Sequence, residues 1–397
     1  MKNVLFVILT IIISSCADIT LPDLPDGSMT VEDAMVLDFD IAENSDDEGL
    51  ESELIVATVG GYDVPFSGHV YRSNNEEIQA LDAIIPDFGM GSAAGSDIAL
   101  GTWSGGFFVI GRYDSSSVYF FTENGGENNF EFNEVNVGTD KVLNLQDGVY
   151  NHLKDEFIIS ALNSNSLIIL KNGEVSELKI SENENASPVK MKVIGDRLFV
   201  AMQNLNDIWK SETGQIAVID LNDYNIQIID LPVKNPVGKI EYNQVVDAGN
   251  FYISCAGSWQ KRDGALLRVD INSFKTQIIV KESSEEGNLL NGDMVDISIA
   301  DNGDFYLVFS SNSDRWTNKL LRYETSLGRI SEISSGVNAF AANPVEYSSV
   351  TKKIYYFADI GADTCLMSID SVSGKSEKLE LDEGPAAVKV RLSENDI

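Results

Sequence analysis

The chain has 397 residues and a formal net charge of −34, from 28 Lys and Arg against 62 Asp and Glu. Such an excess repels polyanions and excludes a basic groove for nucleic acid. Two histidines, three cysteines and the lack of any His-x-His, HExxH or closely spaced Cys/His pair leave zinc and haem without ligands, so neither a metal nor a cofactor is expected.

Residues 1–15, MKNVLFVILTIIISS, place Lys2 before an unbroken apolar run from Val4 to Ile13 and end in small residues, which is the anatomy of a secretory signal. The run is too short to span a bilayer well. Ile13-Ser14-Ser15-Cys16 resembles the bacterial lipobox, in which the cysteine sulfur receives a diacylglycerol before cleavage just in front of it. The resemblance implies a protein held to a membrane by acyl chains on Cys16, with about 0.8 kcal/mol for each buried CH₂. Ala17, a non-acidic residue after the cysteine, fits the pattern of Gram-negative lipoproteins released to the outer membrane. A cell-envelope location is expected, in the periplasmic or the surface-exposed leaflet.

Residues 16–53 read as an acidic spacer. From Ala17 to Glu53 there are thirteen Asp or Glu and no Lys or Arg, so the segment repels itself and stays extended. Thr30 and Asp33 favour a short helix in TVEDAMVLDF. Asp38-Phe-Asp40 continues with Ile41 and Ala42, not with the oxygen ligands and glycine of a calcium loop. Cys255 and Cys365 are far apart and fall in different units, which predicts buried thiols, not a disulfide.

Residues 54–397 are short runs of Val, Ile, Phe and Tyr, broken every 8 to 12 residues by Gly, Asn, Asp and Ser. The runs repeat with a period of about 40 to 50 residues. The clearest copies occupy 187–231, 235–280, 292–333 and 343–381, and looser ones 96–138 and 146–180. Each reads as four strands in an up-and-down meander that cannot bury both faces alone. ELIVATVGG and GHVYRSNNEEIQAL at the start lack a first strand, and GPAAVKVRL at 384–392 is a first strand without successors. Pairing the two ends predicts an all-β, seven-bladed β-propeller of four-stranded antiparallel blades, monomeric, closed by the C-terminal strand.

GQIAVIDL at 214–221 is similar to the third strand of the surface-layer or YVTN-type β-propeller repeat, with its terminal aspartate. FVAM, YISC, YLVF and YYFA stand where that family has YVTN. The resemblance implies the fold; function must come from a site.

FGMGSAAG at 88–95 misses the dinucleotide-binding glycine spacing by one residue and reads as a loop between blades, and the DNGD at 301–304 is a hairpin turn. His69, in GHVYR, and His152, in YNHLKDEF, are expected in packing or surface roles.

In a meander, the loop from strand two to strand three and the crossing to the next blade share one end of the ring. NLNDIWKSETG, GSWQKRDG and SNSDRWTNK are three consecutive loops of that kind. They gather Trp209 with Lys210, Trp259 with Lys261 and Arg262, and Arg315 with Trp316 on one face of an acidic protein. Trp103 belongs to a first-to-second turn and faces the other end.

Tryptophan offers a flat apolar face and one N–H, and Lys and Arg supply donors to anions. The face is therefore a candidate site for a glycan, a planar or anionic small molecule such as a metal chelate or corrinoid, or a protein. The bland alternative is that each tryptophan lids its own blade. The function expected is a non-catalytic, lipid-anchored binding module. The alternatives are a propeller hydrolase or lyase with a central site, for which Asp97, Asp293, Asp296 and Asn343 are first-strand candidates at no common register, or a scaffold in an envelope complex.

Overall fold

The computed structural model describes residues 52–59, 69–74, 76–80, 82–85, 98–112, 116–123, 130–138, 143–311, 317–360, 363–381 and 384–392. The signal segment, Cys16 and the spacer up to residue 51 lie outside them, as do Asp97, Arg315, Trp316 and the glycines of residues 88–95. Among the described residues no helix is long and apolar enough to cross a membrane.

The strands form seven four-stranded antiparallel sheets. Blades two to seven occupy residues 98–136, 145–179, 188–230, 236–281, 293–335 and 345–381, within a few residues of the predicted repeats. Blade one is composite: Gly384–Leu392 is its innermost strand, followed by Ser52–Val59, Val70–Asn74 and Asp82–Ile85. Ser52 and Glu53, placed by composition in the spacer, already pair with Leu392 and Arg391.

The strands differ in composition because they differ in burial. Second strands such as GFFVIG and FYLVFS are almost wholly apolar and buried at every position, since each lies between two neighbouring sheets. Outer strands such as EVSELK and SEKLEL alternate or are exposed, as an edge facing water requires.

The apolar clusters span consecutive blades. Phe199 of blade four meets Phe251 of blade five at 4.8 Å between ring centres, within a cluster that also holds Ile216 and Leu267. No blade has a core of its own. Cys255 and Cys365 are buried, unpaired thiols in blades five and seven.

The aspartate that ends third strands is turn chemistry. Asp220 Oδ1 accepts from the Asn222 N–H at 2.8 Å, Asp270 Oδ1 from Asn272 and Ser273, and Asp370 Oδ1 from Val372 and Ser373. These N–H groups hold all three carboxyls below the ordinary range.

Ion pairs bolt the seam. Arg391 reaches Glu53 at 3.0 Å and Glu123 of blade two at 3.0 Å, and donates to the Ser104 carbonyl at 2.9 Å. Arg72 pairs with the same Glu53 and with Glu123 at 3.1 Å. On the blade-seven side, the buried Glu76 carboxylate accepts from the hydroxyls of Ser52, Ser348 and Thr351.

A chain lacking residues 384–392 should fail to yield a folded monomer, because the Ser52–Val59 edge and the cores it shares stay open. Adding the peptide 384–392 in trans should restore a monomer by size-exclusion chromatography. A truncated chain with unchanged urea midpoint would overturn this account of closure.

Candidate functional site

The innermost strands of successive blades touch one another all the way round the ring, Gly384–Leu392 against Ile98–Trp103 included, and so line its axis. In blades three to six the pairing of this strand with the second is interrupted near its start: between Leu145 and Asp147, Pro188 and Met191, Pro236 and Ile240, and Met294 and Asp296. A bulge frees backbone groups and re-aims side chains. Here it brings Gln146, Lys190 and Asp296 to one end of the axis and Asp147 and Lys239 to the other.

The neighbouring blade satisfies the freed groups. Asp147 Oδ2 accepts from the Met191 N–H at 2.8 Å, and Asp296 Oδ1 from the Lys239 N–H at 2.9 Å. Gly238 sits within the blade-five bulge, where a Cβ would come within 1.9 Å of Ser254 Oγ.

Lysines cross the axis to blade seven and the loop before it. Lys190 Nζ donates to the Ala342 carbonyl at 2.7 Å, and Lys239 Nζ to the Val345 carbonyl and to Glu346 at 2.6 Å. Lys239 also lies 3.1 Å from Glu241, and Lys389 3.3 Å from Glu346. Burial penalises the Lys239 ammonium, but Glu346, Glu241 and Asp296 outweigh it and lift the group above its ordinary range. Burial also opposes charge on Glu346, and Lys239 and Lys389 reverse this to hold it low. Lys190 lacks enough compensation, and burial pulls it down.

On the loop face the axis opens into a cavity of about 260 Å³. Its wall includes Trp259, 40% exposed, and Phe340, 62% exposed. Arg112, Lys190 and Asp296 supply its charges. Asp296 is only 3% exposed, its Oδ2 has no hydrogen-bond partner among the described residues, and burial pushes its carboxyl up.

The tryptophan face is thus divided. Trp259 lines the cavity, whereas Trp209, 59% exposed, and Lys210 stand on their own loop, which Asn206 holds by accepting from the Ile208 and Lys210 N–H groups. Lys261 is exposed beside Trp259. Arg262, expected to be a ligand-facing cation, is instead a staple: it donates to Asn291 at 3.0 Å, pairs with buried Asp293 at 2.6 Å and reaches the Ser311 carbonyl at 3.2 Å. Asp293 also accepts from the Gln260 N–H, so it belongs to this clasp and not to the axis.

Four axial residues escaped sequence reading although each left a trace. Arg112 follows the second strand of blade two, Phe340 sits in a crossing at the same end of the ring, and Lys190 and Lys239 come one and two residues after a Pro-Val at the head of a first strand. At the other end a second cavity of about 310 Å³ is lined by Trp103, Tyr150, His152, Lys192 and Asn343. His69 instead pairs its backbone with Thr58. Among the described residues no three His, Cys, Asp or Glu side chains are grouped as metal ligands would be.

No family model matches the chain, and no curated protein matches it. Solved structures share its fold. A hypothetical selenium-binding protein from Sulfolobus tokodaii is 13% identical at a TM-score of 0.61, covering 87% of this chain and 94% of the other. A 6-phosphogluconolactonase candidate from Bacteroides uniformis is 10% identical at 0.57, covering 86% and 100%. Virginiamycin B lyase from Staphylococcus aureus is 12% identical at 0.53, covering 75% and 90%. The chain is a seven-bladed β-propeller of a fold that serves proteins of different kinds.

The clasp that holds the Trp259 loop contains a titrating group. Glu282 accepts from the Gly264 N–H at 2.9 Å and the Met294 N–H at 2.6 Å. Burial is the strongest influence on it and pushes its carboxyl up to about 7, against an ordinary 4.5. The folded state therefore binds this proton more tightly than the unfolded chain, and stability drains away as pH rises from 4.5 to 7. Glu282→Gln removes that titration, so its urea midpoint relative to wild type should improve between about pH 5 and pH 8. A pH-independent difference would show that Glu282 ionises normally.

Proposed function

We propose that this propeller is a lipid-anchored, non-catalytic binding module of the bacterial envelope, receiving its ligand on the loop face at the mouth of the axis. The observation that carries this reading is the cavity between Trp259 and Phe340, with Arg112, Lys190 and the half-satisfied Asp296 inside it. Two aromatic side chains exposed around a charged recess suit a planar or ring-shaped molecule with an anionic group. Trp209, Lys210 and Lys261 stand on the same face as outer contacts for a large ligand or a protein, and Arg315 and Trp316 belong to the same set of loops in the repeat. Arg262 shapes the site by holding the Trp259 loop.

A panel of glycans, corrinoids and iron chelates, read by thermal shift, tests this reading. A ligand at one hundred times its Kd should add about 2.7 kcal/mol to wild-type stability. Trp259→Ala should fold and lose that shift. If Trp259→Ala is destabilised and nothing shifts the wild type, the tryptophan is a lid. Asp296, a buried carboxyl with one open oxygen at the axis, favours a hydrolase or lyase as the second reading; a panel ligand recovered chemically altered would establish it.

The anchor has its own test. Cells fed labelled palmitate should label the wild-type chain and not Cys16→Ala, whose propeller should be released from the membrane fraction. Equal labelling of both would end the lipoprotein reading.

A further inference from the structure

The inner part of the Trp259 cavity carries an opposite pair that does not meet. Asp296 Oδ1 is taken by the Lys239 N–H, but Oδ2 has no hydrogen-bond partner among the described residues, although the side chain is 3% exposed and lines the cavity. The bulge accounts for Oδ1 and not for Oδ2. A buried carboxylate oxygen without a donor costs stability. Lys190 lines the same cavity, and among the described residues its ammonium has one hydrogen bond, to the Ala342 carbonyl at 2.7 Å, and no carboxylate within 4 Å. Donors of that ammonium are left for a ligand.

The surrounding charge narrows what fits. Asp296 already sits in the positive field of Lys239 and Lys190, so a ligand ammonium would meet two cations of its own sign. An anionic group would meet Asp296 itself. A hydroxyl carries no charge and both donates and accepts, so two on neighbouring carbons can bridge the separated pair. Arg112 is held against Gln146 Oε1 at 2.9 Å and is not needed for this contact.

We propose that the inner end of this cavity binds a vicinal diol of a neutral pyranose, one hydroxyl donating to Asp296 Oδ2 and its neighbour accepting from Lys190 Nζ. The exposed rings of Trp259 and Phe340 line the same space and take the C–H face of the sugar. The cavity, about 260 Å³, has room for one such ring. An anionic substituent elsewhere on the sugar is left to the exposed Lys210 and Lys261 on the same face. The inference rests on the loop face being the ligand site and names the group that its inner end recognises.

Saturation-transfer NMR of the purified full chain with the methyl glycosides of glucose, galactose, mannose and N-acetylglucosamine tests the proposal. At least one should bind, and Trp259→Ala should lose it. Monodeoxy analogues of the bound glycoside should single out two hydroxyls on adjacent carbons, each loss weakening wild-type binding at least about tenfold because a charge-assisted hydrogen bond goes with it. Asp296→Asn should weaken the parent glycoside similarly and make one of those two deoxy positions indifferent, which a purely structural aspartate would not do. The proposal fails if no glycoside binds, if the sensitive hydroxyls are not neighbours, or if Asp296→Asn binds like wild type. The deoxy series uses wild-type protein alone, so it decides the matter even if Asp296→Asn does not fold. Should no glycoside bind while a corrinoid or iron chelate stabilises wild type and not Trp259→Ala, the loop face remains the ligand site and the diol falls alone. Glycoside binding undisturbed by Trp259→Ala would remove the loop-face reading along with it.

Discussion

Seven sheets that share their cores only with neighbours can be stable only as a closed ring, and closure rests on one antiparallel pairing, Gly384–Leu392 with Ser52–Val59. That pairing supplies the inner strand of blade one and brings Ala387 and Val388 into the packing with blades two and seven. It also brings Arg391 to Glu53 and Glu123, so hydrogen-bonded register and buried ion pairs fix the seam together. A one-residue slip would turn Val388 out of the core and break the pairs at once.

The same closure creates the axis, where the molecule concentrates polar groups it keeps out of its cores. Lysines from blades four and five reach backbone carbonyls of blade seven or the loop before it, and Glu346 is held between Lys239 and Lys389. These cross-braces tie opposite sides of the ring and compensate one another well in the middle. Satisfaction weakens toward the two ends, where Asp296 Oδ2 and Asn343 Oδ1 have no hydrogen-bond partner among the described residues. Binding sites form where a fold leaves polar groups incompletely satisfied beside open space, and both mouths meet that description.

Much of the architecture was legible because it follows from periodicity. Apolar second strands, alternating outer strands, turn aspartates at 220, 270 and 370 and the orphan first strand at 384–392 all leave local patterns, and together they specified seven blades and their closure. The site was legible in part. The rule that second-to-third loops share one end of the ring put Trp259 at the mouth, and the first-to-second turn put Trp103 at the opposite one. Arg262 read as a surface cation because its partner, Asp293, lies thirty-one residues away in the next blade. The axial lysines were hidden by the bulges: an extra residue in the inner strand shifts the alternation, so Lys190, Lys239 and Asp296 have no common register in aligned repeats although all converge on the axis.

Blade one also differs from the others in the order in which its parts are made. Blades two to seven are each contiguous in sequence, whereas Ser52–Val59 precedes its inner partner by more than three hundred residues. A chain emerging from its N-terminus therefore carries that apolar strand with an open edge until almost everything else has been synthesised. Nascent propellers in the same cell each present that vacancy, together with a matching strand once synthesis ends. The closing strand of one molecule can then fill the gap in another, so exchange between copies is the characteristic misassembly built into this ring, favoured by crowding and opposed by the speed of closure within one chain.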